Sequence, residues 1–223
     1  DVGQGLAVVV RTASHTLVYD TGARFSARFD AGRAVLVPYL RHAGVQQVDT
    51  LIVSHGDNDH IGGVASLRAA LPVARILSGV PERLPGAVPC RSGQQWVWDG
   101  VGFEILHPEP DSLFTGNNRS CVLRVASAGG RALLPGDIAA RAERQLLFAR
   151  EGQLAAELLV APHHGSNSSS TGLFLDAVRP AMALLPVGYR NRYRHPHPDV
   201  VQRYRDRGIV LEDSPSAGAI EVG

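Results

Sequence analysis

Apolar and polar residues follow one another along this chain in two rhythms. Short β-type runs occupy residues 6–11, 16–20, 48–54 and 74–78. Two hairpins come next. Residues 95–98 and 101–106 turn on Asp99-Gly100, a strong two-residue turn signal, and residues 121–126 and 131–134 turn at Gly129-Gly130. Helical spacing sets in at residues 38–42, with Pro38 in the first turn, and at residues 64–71, where Val64, Leu67 and Leu71 share a face. Beyond residue 137 helix and strand alternate: helices at 138–150, 171–178 and 198–206, strands at 158–161, 181–186, 209–212 and 219–222. Residues 25–32, 79–89 and 108–118 read as loops rich in polar residues, Gly or Pro. Strands first, then strand and helix in alternation, predict an α/β sandwich of two sheets packed face to face with helices outside.

Composition narrows the picture. The chain has 223 residues, 44% of them hydrophobic, enough for a sizeable core. No internal repeat or low-complexity linker divides it, so residues 1–223 are expected to form a single domain. No apolar run approaches the ~20 residues that span a bilayer, so direct membrane insertion by this segment is not expected. The sequence begins abruptly on its first strand, the expected look of a domain cut from a longer protein. Net charge is +1, and all 22 basic residues are Arg. Whole-chain charge therefore announces no polyanionic partner, although Arg suits any local phosphate contact. Cys90 and Cys121 match no zinc spacing and fix no disulfide framework. Free, partly buried thiols are the simpler expectation, and a single bridge the alternative in an oxidising compartment.

The chemistry concentrates where strands end. The apolar run Leu51-Ile52-Val53 leads into Ser54-His55-Gly56-Asp57-Asn58-Asp59-His60, then two glycines and a helical pattern. Unpaired charge at the end of an apolar strand costs several kcal/mol by order of magnitude unless compensated, and a divalent cation compensates it. His55 and Asp57, two apart, can face one ion, and Asp59 with His60 another. A calcium loop counted from Asp57 fails, because Ile61 stands where an oxygen ligand is required.

Asp137 follows the apolar pair Leu133-Leu134 and precedes a helix. It is either that helix's N-cap or a carboxylate bridging two cations. His163 and His164 break a strand in Pro-His-His-Gly-Ser, and one of them is a candidate ligand, with Ser166 close by. Asn191-Arg192-Tyr193-Arg194-His195-Pro196-His197 precedes a helix. It reads either as a solvated basic face or as a phosphate-contact surface with His195 or His197 reaching the reaction. Asn117-Asn118-Arg119-Ser120 either lines the site with donors or turns the chain. No Gly-x-Ser-x-Gly elbow and no dinucleotide fingerprint is present.

On these residues the chain resembles the metallo-β-lactamase superfamily, whose hallmark is His-x-His-x-Asp-His after a strand, a later Asp, and a final His. Asp57 stands at the hallmark's second His, Asp137 at the bridging Asp, and His164, rather than His163, at the final His. Asp20, in Tyr-Asp-Thr-Gly, matches a structural Asp that supports the motif loop. The family's middle His has no counterpart, and Asn117 to Ser120 occupies about its place. A narrower resemblance, carried by Asp-Val-Gly-Gln-Gly at the start and Asn-x-Tyr-x-His-Pro at residues 191–196, is to the C-terminal domain of the ComEC family of competence proteins, and it runs the whole length.

That resemblance implies a metallo-β-lactamase-like four-layer αβ/βα sandwich. It implies two divalent metal sites, Mn²⁺ or Zn²⁺ with Mg²⁺ an alternative, held by His55, Asp57, Asp59, His60, Asp137, His164 and His163. It implies a nuclease that degrades the non-transported strand of incoming DNA, with Asp59, Asp137 and His195 catalytic. Asn118, Ser120, Ser166, Arg192, Arg194 and His197 would bind substrate. The implied partners are single- or double-stranded DNA and a membrane channel domain of the same polypeptide, on the outer side of the cytoplasmic membrane. Two other functions stay open: a phosphodiesterase on a small molecule or phosphocholine-type polymer, and a DNA-binding or gating module without turnover.

Overall fold

The computed structural model describes residues 1–223. Its first sheet has five strands in the order β1 (Val8–Arg11), β2 (Thr16–Tyr19), β3 (Val48–Val53), β4 (Val73–Ser78) and β5 (Val88–Pro89). The second has seven, running from β6 (Gln95–Trp98) through β7 (Val101–His107), β8 (Val122–Ser127), β9 (Gly130–Leu134), β10 (Leu158–Val160) and β11 (Met182–Leu185) to β12 (Val210–Asp213). β1 pairs antiparallel with β2, and β6 to β9 are antiparallel neighbours. β2 to β5 and β9 to β12 are parallel. The helices are α1 (Val37–His42), α2 (Asn58–Ile61), α3 (Val64–Ala70), α4 (Ala140–Ala149), α5 (Gly172–Val178), α6 (Pro198–Arg205) and α7 (Ser214–Ala217).

Side chains alternate across each strand, so every central strand feeds two cores. Leu17, Tyr19 and Ile52 point inward and meet Phe103, Ile105, Leu123, Leu134 and Val160 of the opposite sheet. Val18, Leu51 and Val53 point outward under α1 and α3. Leu133, Leu159 and Ala183 lie outward under α4, α5 and α6. The result is the expected four-layer sandwich. The C-terminal ends of β2, β3, β9, β10 and β11 come together on one edge, where loops carry the chemistry on a rigid frame.

Several local expectations are corrected. Residues 219–222 form no strand. Asp213 accepts a hydrogen bond from the Ser216 N–H and starts the short α7, which Gly218 ends at φ 74°. β12 therefore remains the sheet edge. A π-helical segment, Gly32–Leu36, runs into α1, so that helix begins before Pro38. Asp137 is not the N-cap of α4. Ala139 holds that place, and the Asn118 carboxamide oxygen accepts its N–H at 2.9 Å.

Cys90 and Cys121 are joined in a disulfide, with Cα atoms 5.8 Å apart. It links the end of β5 to the start of β8 and so staples one sheet to the other inside the central core. Sequence spacing could not show this, because the two cysteines meet only when the sheets pack. Closing a segment with sequence separation 31 restricts the unfolded chain by about 3.7 kcal/mol. Cys90→Ser/Cys121→Ser is expected to lower the urea midpoint accordingly, and reductant should do the same to the wild type. Identical midpoints with and without reductant would show that the bridge contributes nothing.

Candidate metal centre

The site grows from two buried carboxylates. Asp20, just after β2, has φ 58° and no exposure. One of its oxygens accepts the Ser54 N–H at 2.7 Å. The other accepts the Ser54 hydroxyl at 2.7 Å and the His60 Nδ1–H at 2.7 Å. The carbonyl of His60 accepts from the Thr21 N–H and hydroxyl, at 2.8 and 2.9 Å. The residues after β2 thus clamp α2, the one-turn helix that carries Asp59 and His60, and fix the His60 ring with Nε2 outward. Gly5 (φ 149°) allows the N-terminal segment under α2, since a Cβ there would meet the Asp59 carbonyl at 2.6 Å.

Asp137 is the second carboxylate, after β9. Gly136 precedes it at φ 58°, where a Cβ would meet both Ser54 and Ser120 within about 3 Å. The Asp137 N–H donates to the Ser120 hydroxyl at 3.1 Å, and that hydroxyl donates to the Asn117 carbonyl at 2.7 Å. His60 Nε2 lies 3.2 Å from one Asp137 oxygen. The other oxygen has His164 Nε2 at 3.5 Å, His163 Nε2 at 3.8 Å and His55 Nε2 at 3.9 Å. Asp59 approaches His164 Nε2 at 3.3 Å, and Asp57 approaches His55 Nε2 at 3.6 Å.

His163 and His164 both have positive φ, 52° and 55°, a conformation costing about 1–2 kcal/mol per residue for side chains with a Cβ. Backbone contacts over-determine it: the His163 N–H donates to the Gly136 carbonyl, and the His197 N–H to the Gly165 carbonyl. The strained turn sends both rings toward Asp137.

The donor set calls for a cation. The His164 Nδ1–H donates to the Pro186 carbonyl at 2.7 Å, which leaves a bare lone pair on Nε2 of the neutral ring. His60 is placed the same way by Asp20. The two Nε2 atoms nevertheless face each other at 3.1 Å, which is repulsive unless a proton or metal ion lies between the groups. His55 Nε2 is buried with no hydrogen-bond partner at all. Burial disfavours charge on His60, but Asp137 and Asp20 outweigh it and hold its pKa well above the ordinary value. His164 is raised too, with burial opposed by Asp137 and Asp59. Burial likewise opposes charge on Asp137, yet His60, His164 and His55 hold its pKa well below the carboxylate range. The site demands positive charge, and these residues fit divalent metal ions: Asp59, His60 and His164 form one group and His55, His60 and Asp137 another, each with ligand atoms within 4.8 Å.

Around this cluster the structure sorts the remaining expectations. His195 lies beside His163, with ring centroids 5.9 Å apart and its Nδ1 buried without a partner. Burial, then the histidines around it, lowers its pKa. Arg192 lies over the Tyr193 ring at 4.8 Å, and Tyr193 in turn stacks on His195 at 5.8 Å. Arg194 is exposed, and Ser166 is half-buried with its hydroxyl shared with Ser168. Three further residues expected at the substrate also make contacts within the chain. Ser120 is fully buried and holds Asp137, Asn118 caps α4, and His197 Nδ1 accepts from the Asp199 N–H at the start of α6. Reading the sequence left open which amide of Asn117-Asn118 faces the site, and it is the Asn117 side-chain nitrogen that lies 3.2 Å from His163 Nε2. The same reading missed Arg83, which donates to the Gly56 carbonyl beside Asp57. Adjacency in Asn117-Asn118 gave no way to tell which amide faces the site.

Metal binding should stabilise the fold by about 2.7 kcal/mol at a hundredfold excess over Kd, read as a rise in unfolding temperature with added Mn²⁺. Asp20→Asn, which touches no ion directly, is expected to weaken that affinity by about 10–100-fold. An unchanged titration would remove Asp20 from the support of the site. The metal-free protein carries a pH signature as well. Raised folded pKa values at His60 and His164 stabilise fully below the unfolded value of 6.5, and that contribution is lost as pH rises through the folded values. Thermal stability without metal should therefore fall on the alkaline side, and bound Mn²⁺ should flatten the fall.

The chain is similar to known proteins over its whole length. Over 223 aligned residues, 100% of this chain, it is 42% identical to competence protein ComA of Neisseria gonorrhoeae, covering 31% of that protein. It is 33% identical over 227 positions to Recombination protein 2 of Haemophilus influenzae, with 100% of this chain and 28% of that protein covered. The chain thus spans less than a third of either relative. Its fold matches the metallo-β-lactamase fold protein YhfI of Bacillus subtilis with a TM-score of 0.59 at 12% identity, covering 94% of this chain and 88% of that one. The family description Metallo-beta-lactamase superfamily matches residues 1–188, which carry the Asp20 clamp, the His55-to-His60 loop, Asp137 and the His163–His164 turn, and the chain belongs to that superfamily.

Proposed function

We propose that this domain is a metal-dependent phosphodiesterase acting on DNA, the nuclease part of a competence DNA-uptake protein. One observation carries the reading: Asp137 sits among four imidazoles, those of His55, His60 and His164 buried and that of His163 half-buried, with Arg192 and His195 at the rim. Asp59, His60 and His164 would hold one divalent ion with Asp137. His55, Asp57 and Asp137 would hold the second, and His163 stands on its far side. Such ions supply an acidified water and offset the charge of a phosphorane-like transition state. The oxygen-rich second group favours Mn²⁺ or Mg²⁺ relative to Zn²⁺.

The chain's own residues supply the rest. Arg192 binds a non-bridging phosphate oxygen through its planar fork. Asp59 or Asp137 accepts the proton of the attacking water. His195, kept neutral near pH 7 by burial and by its histidine neighbours, hydrogen-bonds the leaving oxygen. Similarity to competence proteins over the whole chain supports DNA as substrate and a membrane channel domain of the same polypeptide as partner. No helix here is long and apolar enough to cross a membrane. The Cys90–Cys121 bridge favours the outer side of the cytoplasmic membrane, where disulfides persist.

The test is cleavage of labelled single-stranded and duplex DNA by the 223-residue chain. EDTA should abolish it, Mn²⁺ should restore it, and Asp59→Ala should slow it by about a hundredfold or more. Cleavage that survives full chelation refutes the proposal. So does hydrolysis of small phosphodiesters without any action on DNA.

A further inference from the structure

The chain exposes few large aromatics, and their placement is uneven. Phe25 and Phe29 are 56% and 54% exposed, Tyr189 and Tyr193 are 71% and 50% exposed, and among Phe and Tyr only Phe148 is comparably open elsewhere. Single exposed apolar residues need no explanation, but aromatics gathered at one rim among cations mark an interaction site.

Both aromatic pairs border the metal centre. Phe25 and Phe29 form the tip of a small hairpin, the Phe25 N–H donating to the Phe29 carbonyl and the ring centroids 5.4 Å apart. That hairpin is tied to the residue between Asp57 and Asp59: the Asn58 amide donates to the Arg24 carbonyl at 3.0 Å. Tyr189 and Tyr193 lie on the opposite loop, which Gln4 anchors by accepting the Gly188 N–H at 3.0 Å. The N-terminal strap joins the two sides. Its Gly3 lies against Phe25, its Gln4 against Gly188, and its Gly5 under Asp59.

The second loop interleaves its aromatics with arginines. Arg190 lies over the Tyr189 ring at 5.2 Å and Arg192 over Tyr193 at 4.8 Å, while His195 stacks with Tyr193 at 5.8 Å. A cleft of about 430 Å³ opens there, lined by Tyr189, Arg190, Arg194 and His195. Asp213, the carboxylate on its wall, is occupied in capping α7. The chain's arginine ion pairs involve Arg119, Arg124, Arg131, Arg150 and Arg207, so Arg28, Arg190, Arg192 and Arg194 are free for an outside anion.

We infer that the two loops are a stacking clamp for an unpaired nucleic-acid strand, with bases on either side of the phosphate at the metal centre laid on Phe25/Phe29 and on Tyr189/Tyr193. This rests on the phosphodiesterase reading and names its substrate as single-stranded. A duplex offers phosphates to the arginines, but its base faces are already stacked on one another and cannot use the aromatics. An unpaired strand satisfies both, since every base has a π-face and every linkage a charge.

Fluorescence anisotropy with Ca²⁺ in place of a transition metal, and the oligomers checked for integrity on a gel, provides the test. Oligothymidylate should bind about tenfold or more tighter than an abasic oligomer of equal length. Phe25→Ala/Tyr189→Ala should erase that difference, whereas Phe25→Trp/Tyr189→Trp should keep it. A 2-aminopurine base in the strand should be quenched by the wild type and not by the alanine variant. Equal affinity for the two oligomers, or an alanine variant that weakens both alike, overturns the clamp and leaves the hydrolase reading standing. Base-dependent binding without any cleavage in Mn²⁺ sinks the hydrolase reading and leaves the clamp.

Discussion

Asp20 and Asp137 are carboxylates taken out of water at the ends of β2 and β9, and everything on the functional edge follows from compensating them. Asp20 is answered locally, by Ser54 and by Nδ1 of His60. Asp137 is answered by imidazoles from two segments far apart in sequence, His55 and His60 in one and His163 and His164 in the other. Imidazoles whose other nitrogens are already donating offer lone pairs rather than protons, so the ring around Asp137 completes its charge balance by taking up cations. Low dielectric makes that demand strong, because neither solvent nor salt screens it.

The backbone is arranged to keep this ring closed. Gly136 allows β9 to pass between Ser54 and Ser120, and the left-handed pair His163–His164 turns two adjacent rings inward. Strain of that kind persists where surrounding contacts over-determine it, and here they come from the segments that follow β9 and β11. The N-terminal strap serves the same end by tying the Asp59 turn to the loop that carries Arg192 and His195. The ligand cluster, an arginine-bearing rim and an exposed aromatic border therefore form one connected surface.

The strands and helices were largely legible in the chain, because period two and period 3.6 report directly on which side of an element is buried. The candidate ligand positions stood out for a related reason: charged and imidazole side chains at the end of an apolar strand have no cheap structural explanation. Elements shaped by neighbours were not. Residues 219–222 carry β-type residues but find no strand to pair with, and the π-helical entry to α1 leaves no mark in composition.

By itself the sequence determined the layered α/β architecture, the edge on which the chemistry falls, and the set His55, Asp57, Asp59, His60, Asp137 and His163–His164. Only the tertiary structure decided how those residues are shared. It showed that Cys90 meets Cys121, that Ser120, Asn118 and His197 bond within the chain, that Asn117 faces His163, and that Phe25 and Tyr189 border the same centre. The reason is physical. Periodicity and strand-end charge are properties of a few consecutive residues, whereas the partner of a hydrogen-bonding or ligating group is set by the packing of two sheets, which brings together positions more than a hundred residues apart.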